Sequence, residues 1–224
     1  MQGKKLMEKL MVVVATVFLL GLLASPASAD VLCNSQTSLG VIGANAVVND
    51  NVLVTQADGT CFIIRGDTVK GNVKVSAGAR VAIGGIATAG TPSGDRYGAG
   101  TDLIGGTIEG NIESASATVI LSGGSTVFGN VISDGLGGEV RFPQGLPEQG
   151  EPGATVYGNV EMKGTGLLTA PNKGQDNLVH GDIKCEAPAP NNDPHPGGFP
   201  RTATDWDGDG TVDGSLGGNF ECTP

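Results

Sequence analysis

Apolar side chains recur at every second position over short stretches of this chain, and each stretch breaks off at Gly, Pro or Asp. Val69-Lys70-Gly71-Asn72-Val73-Lys74-Val75 alternates in this way, as do Val156-Tyr157-Gly158-Asn159-Val160-Glu161-Met162 and Val179-His180-Gly181-Asp182-Ile183-Lys184-Cys185. A period of two belongs to a strand with one buried face. No long stretch after residue 29 carries the 3.6-residue period of an amphipathic helix, so the pattern predicts an all-β protein.

The alternating stretches share a phrase, T-[VI]-x-G-N-[VI]. It reads TVKGNV at Thr68–Val73, TIEGNI at Thr107–Ile112, TVFGNV at Thr126–Val131 and TVYGNV at Thr155–Val160. LVHGDI at Leu178–Ile183 is a decayed copy, and VVNDNV at Val47–Val52 is a weaker one with Asp50 where the others have Gly. Self-similarity at a period of about twenty residues predicts a solenoid. Asn51, Asn72, Asn111, Asn130, Asn159 and Asp182 are separated by 21, 39, 19, 29 and 23 residues. The interval of 39 reads as two coils, one of them irregular around Gly90–Gly100. That of 29 reads as one coil carrying an excursion, Phe142–Gly153. The expectation is a parallel β-helix of about six to seven coils. Its variable period argues for the looser right-handed form and against the strict hexapeptide left-handed one. A β-sandwich would explain alternating strands, but not Gly and Asn recurring in fixed places.

Equivalent residues of stacked coils lie about 4.8 Å apart. Asn72, Asn111, Asn130 and Asn159 are therefore expected to form a structural ladder of hydrogen-bonded side chains, with Gly where a Cβ would crowd the backbone. The position before Gly-Asn should point outward, and it reads Lys70, Glu109, Phe128, Tyr157 and His180. Phe128, Tyr157 and His180 thus fall in one column, a candidate contact strip for a sugar ring or another molecule. The competing and favoured reading is that these rings stack on one another or lie under the Pro-rich stretch Glu186–Pro200. A column of threonines (Thr68, Thr107, Thr126, Thr155) invites an ice-binding reading, but its Lys, Glu, Phe and Tyr neighbours break the flatness such a surface needs.

The first 29 residues change the picture of the whole chain. Lys4, Lys5 and Lys9 precede an apolar run at Leu10–Leu23, and Ala27-Ser28-Ala29 offers an A-x-A cleavage site before Asp30. This is the layout of a cleaved export signal, and the run is short for a membrane span, so no transmembrane anchor is expected after cleavage. Leu32 is too large to precede a lipidated cysteine at Cys33. Removing Lys4, Lys5, Lys9 and Glu8 from 13 basic and 23 acidic residues leaves 10 and 22, a formal net charge of −12. Such a surface repels nucleic acid and attracts cations. Aromatic residues are only 4% of the chain against 38 glycines, which suits the thin interior of a solenoid better than a conventional core. The four cysteines follow the signal, in a setting that permits disulfides. Of three pairings, Cys33–Cys61 with Cys185–Cys222 is favoured, because each bridge would staple one end of the array. No C-x-x-C pair or histidine cluster points to zinc or redox chemistry.

The sharpest local motif is Asp205-Trp206-Asp207-Gly208-Asp209-Gly210-Thr211-Val212-Asp213. It resembles the D-x-D-x-D-G-x-x-D calcium loop of EF-hand-like and integrin-propeller-like proteins. Carboxylates at positions 1, 3 and 5 converge on one hard cation, Gly at position 6 makes the turn, and a carbonyl at position 7 adds a ligand. The resemblance implies Asp205, Asp207, Asp209, the Thr211 carbonyl and Asp213 as ligands to Ca²⁺. Position 12 is Leu216 rather than the bidentate Glu of an EF-hand, and no helical pattern flanks the loop. The expectation is an isolated structural calcium loop, set against an acidic turn that binds nothing.

The G-N-[VI] phrases over Val47–Ile183 also resemble bactofilin-type and adhesin-type β-helices, which implies a structural or adhesive role. Catalysis is harder to assemble. The chain has two histidines, His180 and His195, and no Ser-His-Asp set, nucleophile elbow or phosphate loop. Arg65, Arg80, Arg96, Arg141 and Arg201 share no spacing that would furnish the strong base of a lyase. The expected layout is a signal at 1–29, a solenoid at 30–185, a Pro-rich linker at 186–200 and a calcium-loop tail at 201–224. The expected function is an exported structural or adhesive solenoid of the cell surface or matrix, calcium-stabilised, self-associating or glycan-binding. The alternative is a calcium-dependent enzyme acting on acidic polysaccharide, of lyase or glycoside hydrolase type.

Overall fold

The computed structural model describes residues 30–33, 45–55, 60–63, 66–84, 105–121, 124–142, 153–163, 167–169, 177–185 and 214–222. The segments 1–29 and 186–213, which hold the expected export signal, the Pro-rich linker and the aspartate loop, lie outside the described residues. The described elements are all strands, and every strand pairing is parallel. They form three sheets of seven, eight and five strands, in which each strand pairs with its equivalents from the coils before and after. This is the expected parallel β-helix.

One coil shows how the phrase builds the fold. Thr68–Val69 belongs to the seven-stranded sheet I, Val73–Val75 to the eight-stranded sheet II and Arg80–Ile83 to the five-stranded sheet III. The phrase is therefore two strands, with x-Gly-Asn forming the corner between them, and not the single alternating strand its pattern suggests. Alternation survives because each strand buries its Val or Ile on the same interior. Val52, Val73, Ile112, Val131, Val160 and Ile183 make one such fully buried column in sheet II. Burying each of these side chains contributes about 1.5–3 kcal/mol, so a thin interior suffices when every coil repeats it.

The Gly-Asn corner is held by a directional ladder. The backbone N–H of Asn72 donates to Asn51 Oδ1 at 2.9 Å, that of Asn111 to Asn72 Oδ1 at 2.9 Å, and that of Asn130 to Asn111 Oδ1 at 2.8 Å. The series continues through Asn159 onto Asn130 Oδ1 (2.8 Å), Asp182 onto Asn159 Oδ1 (2.9 Å) and Asn219 onto Asp182 Oδ1 (2.8 Å). The bonds run from backbone to side chain rather than amide to amide. The preceding glycine is needed because the coils touch there: a Cβ on Gly129 would lie 2.4 Å from the Gly110 carbonyl oxygen and 2.5 Å from Asn111 Oδ1.

One interval differs from the sequence expectation, and one agrees with it. Asn72 and Asn111 sit in adjacent coils, with Thr68 paired to Thr107 and Val73 to Ile112. The 39-residue interval is thus one coil with an excursion after Gly84, and not two coils. Asn130 and Asn159 are also adjacent, so the interval of 29 is one coil with an excursion. Beyond Cys185 the array adds another coil. Gly214–Leu216 pairs with Asn177–Val179, and Phe220–Glu221 pairs with Ile183–Lys184. Ser215-Leu216-Gly217-Gly218-Asn219-Phe220 is a further copy of the phrase, so 186–213 is an insertion between consecutive coils rather than the start of a terminal tail. The corner between sheets I and II is three residues long in every described coil. The segments 85–104, 143–152 and 170–176 all fall instead between a sheet III strand and the next sheet I strand.

Cys33 pairs with Cys61 and Cys185 with Cys222, the two pairings favoured from the sequence. Cys185 and Cys222 occupy the same position of successive sheet II strands, with Cα atoms 4.7 Å apart. This bridge locks the coil at 214–222 onto the one before it. Such bonds belong to an oxidising, extracytoplasmic compartment.

Candidate functional site

The corner column between sheets I and II carries the aromatic residues. Their backbones sit one coil apart, so the side chains emerge in register. Phe128 and Tyr157 stack with centroids 4.9 Å apart and planes 5° from parallel, and Tyr157 and His180 stack at 4.6 Å and 5°. The reading in which the rings stack on one another is the one found. Phe128 is 51% exposed and Tyr157 47%, so this three-ring slab stands in solvent on a rigid corner.

Stacking decides which ring surfaces are covered. Both faces of Tyr157 are covered by its neighbours, whereas Phe128 and His180 each stack on one ring among the described residues. The next coil places Gly217 below His180. A side chain is excluded there because a Cβ on Gly217 would lie 2.6 Å from the His180 carbonyl oxygen. Among the described residues the column of corner side chains therefore ends at His180. Two residues back along each strand, Thr126 and Thr155 add a parallel column of half-exposed hydroxyls.

A second surface lies on the outer face of sheet II, where four successive strands form a shallow groove of about 480 Å³. Its outward column reads Leu53, Lys74, Glu113, Ile132, and the neighbouring one Thr55, Ser76, Ala115, Asp134. Small side chains in the second column sink the floor between longer ones. The ladder reaches this groove. Asn72 spends its Oδ1 on the Asn111 N–H, and its Nδ2 donates to Glu113 Oε1 at 3.3 Å. Asn159 instead donates its Nδ2 to Glu161 of its own coil, at 3.5 Å. Lys74 has no ion-pair partner among the described residues.

Three ion pairs form between charged side chains among the described residues. Lys184 contacts Asp182 at 2.9 Å, Lys163 contacts Glu161 at 3.7 Å, and Arg141 contacts Glu139. The Asn219 N–H and then Lys184 hold the Asp182 carboxyl below its ordinary range, and Asp182 pushes the Lys184 ammonium up. The N-terminal coil exposes Val31, Leu32 and Val47 beside strand edges that have a described partner on one side only.

Asp205, Asp207, Asp209, Thr211 and Asp213 lie outside the described residues, and Asp213 directly precedes the strand Gly214–Leu216. Among the described residues no group of three or more His, Cys, Asp or Glu could hold a metal, and no helix is long and apolar enough to cross a membrane. Sequence reasoning missed the groove, because its residues come from four coils whose register the 39-residue interval conceals. It also missed the coil at 214–222, whose Asn219 three residues after Leu216 was the available signal. The chain matches no protein-family model, no curated protein and no solved structure.

Proposed function

We propose that the protein is an exported structural or adhesive β-solenoid of the cell surface or matrix, calcium-stabilised through the 205–213 loop, that binds a glycan along the Phe128–Tyr157–His180 column. The observation that carries this reading is the exposed slab of stacked rings, Phe128, Tyr157 and His180, with Gly217 in the next corner position. The apolar C–H face of a sugar packs well on such a ring, and the threonine hydroxyls alongside can hydrogen-bond its rim. Exposed large aromatics on a rigid corner contribute little to folding beyond their mutual stacking, so their presence there points to a partner. Two disulfides fit an extracytoplasmic location. A formal charge of −12 after signal removal argues against nucleic acid.

The test is a glycan panel probed with the mature chain and with Tyr157→Ala and His180→Ala, with oligomeric state measured in parallel. The expected result is at least tenfold weaker binding in both variants. Binding unchanged in both, with folded proteins, overturns the reading. For calcium, melting temperature is measured with calcium and with chelator, on the parent chain and on Asp207→Ala/Asp209→Ala. Calcium should raise the parent's melting temperature and leave the variant's unchanged; equal values in all four conditions refute the metal site.

One observation favours the second reading, a polysaccharide-acting enzyme: Lys74 shares a groove on one flat sheet face with Glu113 and Asp134. Release of new reducing ends or unsaturated products from a polysaccharide, abolished by Lys74→Met, would establish it.

A further inference from the structure

The groove on sheet II has a shape and charge of its own, separate from the aromatic column and independent of the reading built on it. We infer that it is a binding site for an extended, amine-bearing glycan, a polymer of amino sugars lying along the solenoid axis.

Direction comes first. The groove is lined by two outward columns contributed by four successive coils, so it runs across the strands. Its chemical groups therefore recur at the coil spacing of about 4.8 Å. Successive rings of an extended β-1,4-linked glycan are close to this spacing and turn over alternately. Amines on consecutive rings thus face opposite edges, as Glu113 and Asp134 stand in the two columns one coil apart. An extended peptide presents side chains to one face only every second residue, about 6.8 Å apart, and falls out of step within two coils.

The order of groups along the groove comes next. Leu53 and Ile132 stand at its two ends in one column and offer apolar contact to the C–H faces of sugar rings. Lys74 and Glu113 lie between them on adjacent coils. Asp134 enters from the neighbouring column one coil beyond Glu113. Lys163, which follows Asp134 in its column, is engaged with Glu161 and not committed to the groove.

Charge then selects the ligand. Two carboxylates against one ammonium make the groove net negative, in a molecule already formally at −10 before signal removal. An acidic polymer is repelled, and a sugar ammonium is attracted. Glu113 is prepared for that role. The Asn72 amide that donates to its Oε1 is itself fixed by the Asn111 N–H, so the corner ladder holds the carboxylate in one orientation before any ligand arrives. Charge-assisted hydrogen bonds from an ammonium to an oriented carboxylate are about twice as strong as neutral ones. Asn72 is in this sense a positioning residue, and Glu113 and Asp134 are the groups that touch the ligand.

The experiment is calorimetric titration of the mature, oxidised chain with three probes: a β-1,4-linked glucosamine hexamer, its fully N-acetylated counterpart and an oligogalacturonate. The glucosamine hexamer should bind at least tenfold more tightly than the acetylated one, and oligogalacturonate should not bind. Glu113→Gln and Asp134→Asn should each weaken hexamer binding at least fivefold. Glu113→Gln keeps an acceptor for the Asn72 amide, so the ladder stays intact and loss of binding is not loss of fold. Tyr157→Ala should leave hexamer binding unchanged. Loss of hexamer binding in Tyr157→Ala, with Glu113→Gln and Asp134→Asn unaffected, would assign the hexamer to the aromatic column and overturn the proposal. Equal binding of acetylated and free hexamers overturns the proposal, as does indifference to both groove variants. Glu221→Gln, an equal change of charge on the same face but outside the groove, is the control for bulk attraction. If it weakens binding as much as Glu113→Gln, the site does not exist.

Discussion

Each corner asparagine makes two separate contacts. Its Oδ1 accepts the backbone N–H of the next coil, and in Asn72 and Asn159 its Nδ2 also reaches an outer glutamate. Asn130→Ala should leave the Asn159 N–H without an acceptor and cost about 1–3 kcal/mol, read as a lower midpoint in chemical unfolding. Asn130→Asp keeps an acceptor and should recover part of that loss. Gly129→Ala meets the Gly110 carbonyl rather than a flexible side chain, and should cost about 1–3 kcal/mol as overpacking. Asp182 replaces Asn in the same ladder with its carboxyl held below the ordinary 3.8. A lowered folded value means that its contribution is full above 3.8 and disappears as pH falls through the folded value. Lys184 is raised above 10.5, so its share is present below 10.5 and lost as pH climbs past the folded value. Hydrogen exchange of the Asn219 amide should therefore lose protection in acid in the parent chain, and much less in Asp182→Asn. Much at this scale was legible in the sequence: a fixed Gly-Asn pair announces crowding and a side-chain ladder. The direction of the bonds was not, because an amide can donate or accept and only the neighbouring coil decides which.

At the scale of the element, the corner phrase and the excursions obey opposite rules. The three residues from x to Asn never vary, because the ladder ties every coil at that point. Chain length varies instead on the way back to sheet I, after a sheet III strand at 85–104, 143–152 and 170–176 and after Ile183–Cys185 at 186–213. This contrast explains what could be read beforehand and what could not. The buried positions and the outward column followed from alternation, which hid the corner dividing each phrase into two strands. Coil counting failed at the 39-residue interval because an excursion is as long as a coil and carries no mark of its own. The coil at 214–222 escaped notice because Gly217 stands where earlier copies carry Phe128, Tyr157 and His180, and Phe220 replaces Val or Ile. That coil depends on its bridge. By the chain-entropy argument a disulfide closing a loop with a sequence separation of 37 contributes about 4 kcal/mol. Cys185→Ser/Cys222→Ser should expose 214–222 to hydrogen exchange while the strands from Val52 to Val179 stay protected.

For the whole molecule, the two ends differ from the middle. Interior coils have strand partners on both sides, whereas Val31–Leu32 and Val47–Val48 have a described partner on one side only and carry exposed Val31, Leu32 and Val47. Unpaired edges beside apolar side chains favour association. If the end coil joins copies of the chain, the mature protein will sediment as a concentration-dependent series, and Val47→Lys will shift that series toward the monomer at least tenfold in concentration. A single species at every concentration would remove self-association from the account. Neither the groove nor the aromatic column has such an end dependence, since both sit on coils held from above and below.

The parallel stacking of sheet II also gives the molecule a measured length. Its eight strands are separated by seven steps of about 4.8 Å, a span of roughly 34 Å, although the chain between steps runs from 19 to 39 residues. Axial distance thus depends on the number of coils and is indifferent to how much chain each one carries. The protein is in effect a gauge. Deleting one whole coil would bring whatever is held at its two ends closer by a single increment, while shortening an excursion would leave that distance unchanged.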